Sequence, residues 1–228
     1  MKKFLFIISI IITTNIAAQQ PATGIWASPQ AMINFNNKWQ WYNEGGYRTI
    51  GNSTPAYQYL YRTGVKYFFN AHWSSTMGLA FFFTRTNYEK SNHEFGKEFR
   101  LWQEINYKVK LTQKFNLQNR MRTEERFFES TKSKSSYKAF RLRNRLAGTL
   151  MFSEKWGVQL SDEYMQQYDH KIFSFNQNRL IASAVYQANK TTQWQGGYMW
   201  LLRRDYSQHI ITFTVQKTFS LHAHEKHS

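Results

Sequence analysis

Phe140-Arg141-Leu142-Arg143-Asn144-Arg145-Leu146 carries an arginine at every second position from 141 to 145, with Phe140, Leu142 and Leu146 on the opposite parity. Successive side chains of an extended strand point to opposite faces, so this stretch has a guanidinium face and an apolar face. A helix would scatter both sets around its axis. The alternation runs on through Thr149 and Leu150, and it recurs earlier in the chain. Phe99, Leu101, Ile105, Tyr107 and Val109 oppose Glu98, Arg100, Trp102, Glu104 and Lys108, while Tyr57, Tyr59, Tyr61, Val65 and Tyr67 oppose Gln58, Arg62, Gly64 and Lys66.

Runs with this period follow one another at about 25–35, 38–48, 56–68, 73–87, 95–109, 114–128, 137–151, 155–166, 172–186, 192–203 and 208–219. They exceed the usual five or six residues of a globular strand and fit tilted membrane strands, which need about 9–11 residues for the hydrocarbon alone. The predicted fold is all-β, a transmembrane antiparallel β-barrel of about 10–12 strands with short periplasmic turns and longer extracellular loops. A soluble sandwich is the competing reading, disfavoured by strand length. Eleven runs are legible, whereas bacterial single-chain barrels carry an even number, so one assignment is suspect. The first run contains Pro29, which cannot donate to a ladder and suits an edge or a bulge. Ten strands plus an N-terminal segment, or twelve with one unrecognised, are both open. The run at 172–186 is irregular because Asn176 and Asn178 fall on its lipid-facing parity.

Five polar turns, each ending in an aromatic, punctuate the runs: Asn36-Asn37-Lys38-Trp39, Asn70-Ala71-His72-Trp73, Thr112-Gln113-Lys114-Phe115, Ser153-Glu154-Lys155-Trp156 and Thr191-Thr192-Gln193-Trp194. Their aromatics are spaced by 34, 42, 41 and 38 residues, the length of two long strands with their connections. Longer polar connections lie between them at about 49–55, 88–95, 129–136, 166–171 and 203–207. Short turns on one rim, longer loops on the other and aromatics at the edge are the pattern of an outer-membrane barrel.

The N-terminus supplies an address. Lys2 and Lys3, the apolar run 4–12 and the small pair Ala17-Ala18 form a secretory signal peptide, too short in its apolar part to span a bilayer. The expected organisation is signal peptide 1–18, barrel 19–219 and a His-containing tail 220–228. The chain carries 30 Lys and Arg against 14 Asp and Glu, and loss of Lys2 and Lys3 lowers the formal charge only from +16 to +14. Eight Trp, 14 Tyr and 19 Phe exclude a disordered basic tail. With no cysteine there is no disulfide framework, thiolate metal site or acylated lipoprotein cysteine.

Three motifs in order, Arg120-Met121-Arg122-Thr123-Glu124-Glu125-Arg126, Phe140-Arg141-Leu142-Arg143-Asn144-Arg145-Leu146 and Phe175-Asn176-Gln177-Asn178-Arg179-Leu180, together with Glu163, Trp26 and Gly197-Tyr198-Met199, span essentially the whole mature chain. On these residues the chain resembles the Gram-negative outer-membrane β-barrel family catalogued as domain of unknown function 2490. The resemblance implies location and fold. It brings no activity, cofactor or catalytic residue.

Taking the polar parity of each run as lumen-facing places Arg48, Lys66 and Glu44 inside, together with the candidate site residues Arg62, Glu98, Arg100, Glu104, Arg120, Arg122, Glu124, Arg126, Arg141, Arg143, Arg145, Glu163 and Arg179. Eleven cations against five carboxylates leave about +6 in the lumen. The sorting is physically required, since Arg or Lys facing lipid at the midplane costs about 2–4 kcal/mol. Two roles follow. Arg and Glu can fill a narrow barrel with a mutually satisfied network, because about eight strands enclose an interior that side chains just fill and a few more enlarge it modestly. Alternatively, guanidinium forks bind carboxylates and phosphates bidentately, and such a wall can hold a small anion or line a porin-like conduit. The network is the leading expectation, although five carboxylates cannot neutralise eleven cations alone.

Other chemistry is poorly supported. An outer-membrane lipid-modifying enzyme is the alternative function, with Ser207 and His209, or His170 with Glu163 or Asp169, as the available pairings, but neither carries an oxyanion motif. His222, His224 and His227 are read as a solvated tail rather than a metal site. No cofactor is implied. Nucleic acid is disfavoured by export and inward-facing arginine, and Lys132 and Lys134 are better explained by a loop beside lipopolysaccharide phosphates. The expected partners are outer-membrane lipid and lipopolysaccharide, with a possible small anion in the lumen of a monomer.

Overall fold

The computed structural model describes residues 22–50, 56–86, 94–169 and 171–221. The leader expected over 1–18, His170, the three tail histidines and parts of the loops near 49–55 and 88–95 lie outside those residues. Eleven strands follow in order: β1 (Ala22–Asn34), β2 (Trp39–Arg48), β3 (Gln58–Phe68), β4 (Trp73–Arg85), β5 (Phe95–Lys110), β6 (Phe115–Phe128), β7 (Tyr137–Met151), β8 (Trp156–Asp169), β9 (Ile172–Asn189), β10 (Thr192–Leu202) and β11 (Ser207–Ser220). Each pairs with its sequence neighbour, and β1 pairs with β11 to close a barrel.

The even strand number expected for such barrels is not what closes this one. Hairpins reverse direction at every turn, so an odd count leaves the first and last strands running the same way. The seam is accordingly parallel, from Ala22 opposite Gln208 to Asn34 opposite Ser220. The suspected first run is a full strand. Pro29 sits opposite Val215 on the β11 side, while the ladder to β2 is interrupted between Ala27–Tyr47 and Gln30–Glu44. The missing proline donor thus falls where Gly45 and Gly46 leave the β2 ladder open, and it costs the strand little.

The run with misplaced asparagines also has a physical explanation. Met165 faces Gln177 but Gln166 faces Phe175, leaving Asn176 as an extra residue in β9. This bulge turns Asn176 into the lumen, its Nδ2 3.5 Å from Gln167 Oε1. Asn178 remains opposite Tyr164 on the outer parity. Tyr57 departs from the alternation as well: it precedes β3 and lines the lumen.

Four of the five short turns share one device. Asn36 Oδ1 accepts from the backbone N–H of Lys38 and Trp39 at 2.8 and 2.9 Å, and Asn70 does the same for His72 and Trp73. Thr112 Oγ1 and Ser153 Oγ serve Phe115 and Trp156 at 3.0 and 2.9 Å. A short side-chain acceptor three residues before the aromatic is therefore the turn's own hydrogen-bond partner. The fifth turn is tighter, at 190–191, and Trp194 lies inside β10. Trp39, Trp73 and Trp156 pack on Tyr67, Tyr107 and Tyr186 at centroid distances of 4.7, 4.7 and 4.6 Å, forming an aromatic rim at the short-turn end.

Outward residues are mostly apolar and exposed, with Glu125 and Asn144 among the polar ones: Leu160 is 64% accessible, whereas inward-facing Glu124 is 1%. Asp162 is an exception, lying on the outer parity of β8 between Leu146 of β7 and Leu180 of β9. Inside, Leu60, Ala80, Phe82 and Trp102 form an apolar patch on one wall. Trp102 lies against Gly64, where a Cβ would come within 2.8 Å of the indole and 2.7 Å of the Met77 carbonyl. Its Nε1 donates to Leu79 O at 3.1 Å.

Candidate functional site

Ion pairs run along the inner face of the barrel from β5 to β8. Arg126 Nε donates to Glu98 Oε1 at 2.5 Å, and Arg100 Nε reaches the same oxygen at 2.6 Å. Arg100 Nη1 then meets Glu124 Oε2 at 3.0 Å, and Arg143 joins Glu124 Oε1 at 2.6 Å to Glu163 Oε1 at 2.8 Å. Arg120 Nη2 also donates to Glu163 Oε1, at 2.5 Å, which ties β6 to β8 across the intervening β7. Arg122 grips Glu104 Oε2 with Nε at 2.9 Å and Nη2 at 2.6 Å. On the far wall Arg62 donates to Glu44 Oε2 at 2.7 Å, and the Tyr42 hydroxyl donates to the same carboxylate.

Register explains why the carboxylates are shared. Arg100 lies directly opposite Arg126, Arg122 opposite Arg143, and Arg120 opposite Arg145. Like charges directly across a ladder destabilise a sheet, so each such pair needs an anion between or beside it. Glu98 lies between the first pair, Glu124 and Glu163 hold Arg143, and Glu104 neutralises Arg122. Aromatic faces take up further charge, with the Arg100 guanidinium carbon 3.6 Å from the Phe82 ring centre and that of Arg122 4.7 Å from Trp102.

Twelve of the thirteen residues expected at the site line one cavity of about 1220 Å³; the thirteenth, Glu124, is buried beneath its arginine partners. They do not all join the belt. Arg141 is 3.9 Å from Glu124 and donates instead to Gln167 Oε1 at 3.1 Å. Arg145 has no carboxylate partner among the described residues; its Nη2 donates to Gln159 Oε1 at 2.9 Å. Arg179 reaches Glu163 only at 3.4 Å. Arg48 donates to Gln58 Oε1 at 2.7 Å, with no carboxylate partner among the described residues. Tyr42, Gln159 and Gln167 were not singled out from the sequence, although each sits on the inner parity of its run beside a residue that was.

Of the other pairings weighed from the sequence, that of His170 with Glu163 or Asp169 lies partly outside the described residues. Ser207 and His209 alternate with the buried Gln208 and Ile210, so both face outward on β11. His209 Nδ1 is hydrogen-bonded to the Tyr198 hydroxyl, and the two rings stack at 5.7 Å. Glu163 is held by three arginines. Among the described residues no group of three His, Asp or Glu side chains could hold a metal ion.

Fold and site together define a class of protein: a closed β-barrel, largely apolar outside, whose interior is lined by arginine–glutamate pairs. The chain belongs to the family described as protein of unknown function DUF2490, whose model matches residues 23–208. No curated protein matches it.

Proposed function

We propose that this protein is an outer-membrane barrel whose lumen is closed to bulk flow by the belt of shared carboxylates, and whose surplus cations hold small anions. The observation that carries the reading is the continuous path Arg126–Glu98–Arg100–Glu124–Arg143–Glu163–Arg120, made of contacts between 2.5 and 3.0 Å. Charge-assisted bonds of this length draw long side chains of four neighbouring strands together into the lumen, which supports a filled interior over a wide aqueous channel. The exposed apolar outer face, the aromatic rim at the short turns and the leader over 1–18 support placement in the outer membrane, with lipid and lipopolysaccharide as surroundings.

Two measurements test the reading. The protein should fractionate with the outer membrane and shift on gels between heated and unheated samples; release by alkaline carbonate would overturn the placement. In planar bilayers the purified protein should show no large steady conductance. Wide ohmic channels in the parent would overturn the closed lumen.

A further inference from the structure

Beyond the end of the belt, toward the long-loop rim, cations gather with few carboxylates beside them. Arg48 ends β2, and its guanidinium carbon lies 4.0 Å from the centre of the Trp26 ring; that of Arg179 lies 5.0 Å from the same ring. Arg203 follows β10 at the same rim, two residues beyond Leu201, which is the register partner of Arg179. All four residues line the cavity.

The closest partners of Arg48 and Arg179 are neutral. Arg48 Nη1 donates to Gln58 Oε1 at 2.7 Å, and Gln58 Nε2 is in turn held by Thr84 Oγ1 at 2.6 Å. Gln177, with its amide oxygen turned toward Arg179, accepts from Nε at 2.9 Å and Nη2 at 2.6 Å. Amide oxygens orient a guanidinium without cancelling its charge. Among the described residues the one carboxylate contact of this cluster is Glu163 with Arg179 at 3.4 Å, and that carboxylate already serves Arg120 and Arg143. Glu44, the nearest acid on β2, is taken by Arg62 and Tyr42. Three donors are left buried with no acceptor among the described residues: Arg48 Nε, Trp26 Nε1 and Arg203 Nε. A buried donor without a partner destabilises the fold, and a like-charged cluster adds to that cost.

We infer that Trp26, Arg48, Arg179 and Arg203 form a binding site for a phosphate group, free or carried on a sugar headgroup. A dianion with several oxygens matches three cations and an indole N–H on separate strands better than a single carboxylate does. The site rests on the anion-holding part of the function proposed above, but it does not depend on conduction.

The test is calorimetric titration of the full-length barrel in detergent with inorganic phosphate and, separately, with glucosamine 1-phosphate. Arg48→Gln should weaken binding at least about tenfold, and Trp26→Phe, which removes only the indole donor, by several-fold. Lys110→Gln, an exposed charge at the other rim, should leave it unchanged. Thermal stability without phosphate should be level or higher in Arg48→Gln, so a lost signal cannot be ascribed to misfolding. Tighter binding of inorganic phosphate would assign a free ion, and tighter binding of the phosphosugar a headgroup. Absence of binding by either in the parent, or equal binding in the parent, Arg48→Gln and Trp26→Phe, would overturn the site. Neither result bears on the closed lumen, which the bilayer measurement tests independently.

Discussion

Arg143 on β7 binds Glu124 on β6 at 2.6 Å, although the two are not opposite each other in the sheet: Glu124 faces Arg141 and Arg143 faces Arg122. The register partner Arg141 stays 3.9 Å from the same carboxylate. Choosing the diagonal lets Glu124 reach inward to Arg100 on β5 as well, and frees Arg143 to extend to Glu163 on β8. One carboxylate on β6 thereby joins its neighbours on both sides.

Glu124→Gln should lower the thermal stability of the barrel, with an upper magnitude of about 3–5 kcal/mol, because it leaves Arg100 and Arg143 buried without their shared anion. Arg143→Gln should also destabilise, since it removes the bridge between Glu124 and Glu163 and leaves each buried carboxylate with one strong partner fewer. The double variant should lose less than the sum of the two, by about 0.5–3 kcal/mol, measured by reversible unfolding in detergent or lipid.

Arg145→Gln should behave oppositely. Its side chain has no carboxylate partner among the described residues and lies opposite Arg120 in register. Removing that charge while keeping a polar partner for Gln159 should leave stability level or raise it by up to about 1 kcal/mol. A drop comparable to that of Arg143→Gln would show that Arg145 belongs to the brace.

Gly64→Ala should destabilise by about 1–3 kcal/mol, since the added methyl meets the Met77 carbonyl and Trp102. Gly196→Ala serves as the comparison because nothing lies within 4 Å of its added Cβ. The difference between the two variants in unfolding midpoint measures how firmly Trp102 is seated.

The parallel seam predicts an unusual sidedness. β1 starts beside the start of β11, at the long-loop rim, and ends at the short-turn rim. An epitope inserted just before Ala22 and another between Lys132 and Ser135 should therefore be labelled together on intact cells. Labelling of the second alone would show that β1 is not inserted in this direction.

Asp162 offers a check on the lipid face. Flanked by Leu146 and Leu180 on neighbouring strands, it should be a net cost in hydrocarbon. Asp162→Leu should stabilise the bilayer-inserted barrel, by less than the roughly 2–4 kcal/mol that a lysine or arginine costs at the midplane. A loss of stability would instead identify a polar partner at that position.

Which side chains face inward was legible in the chain itself, because alternation is a property of each strand's own backbone. Arg141, Arg143 and Arg145 turn inward whatever lies beside them, and the strand limits read from alternation differ from the observed ones by no more than three residues. The acceptor three residues before Trp39, Trp73, Phe115 and Trp156 is likewise local. Tertiary structure decided the rest. That Arg143 prefers the diagonal Glu124, that Arg145 has no acid partner among the described residues, that β1 closes in parallel on β11 and that Asn176 turns inward at a bulge all depend on register between strands and on side-chain reach within the lumen. Alternation repeats every two residues and is indifferent to a neighbouring strand's position. Charge pairing and closure depend on that position, and only the assembled barrel sets it.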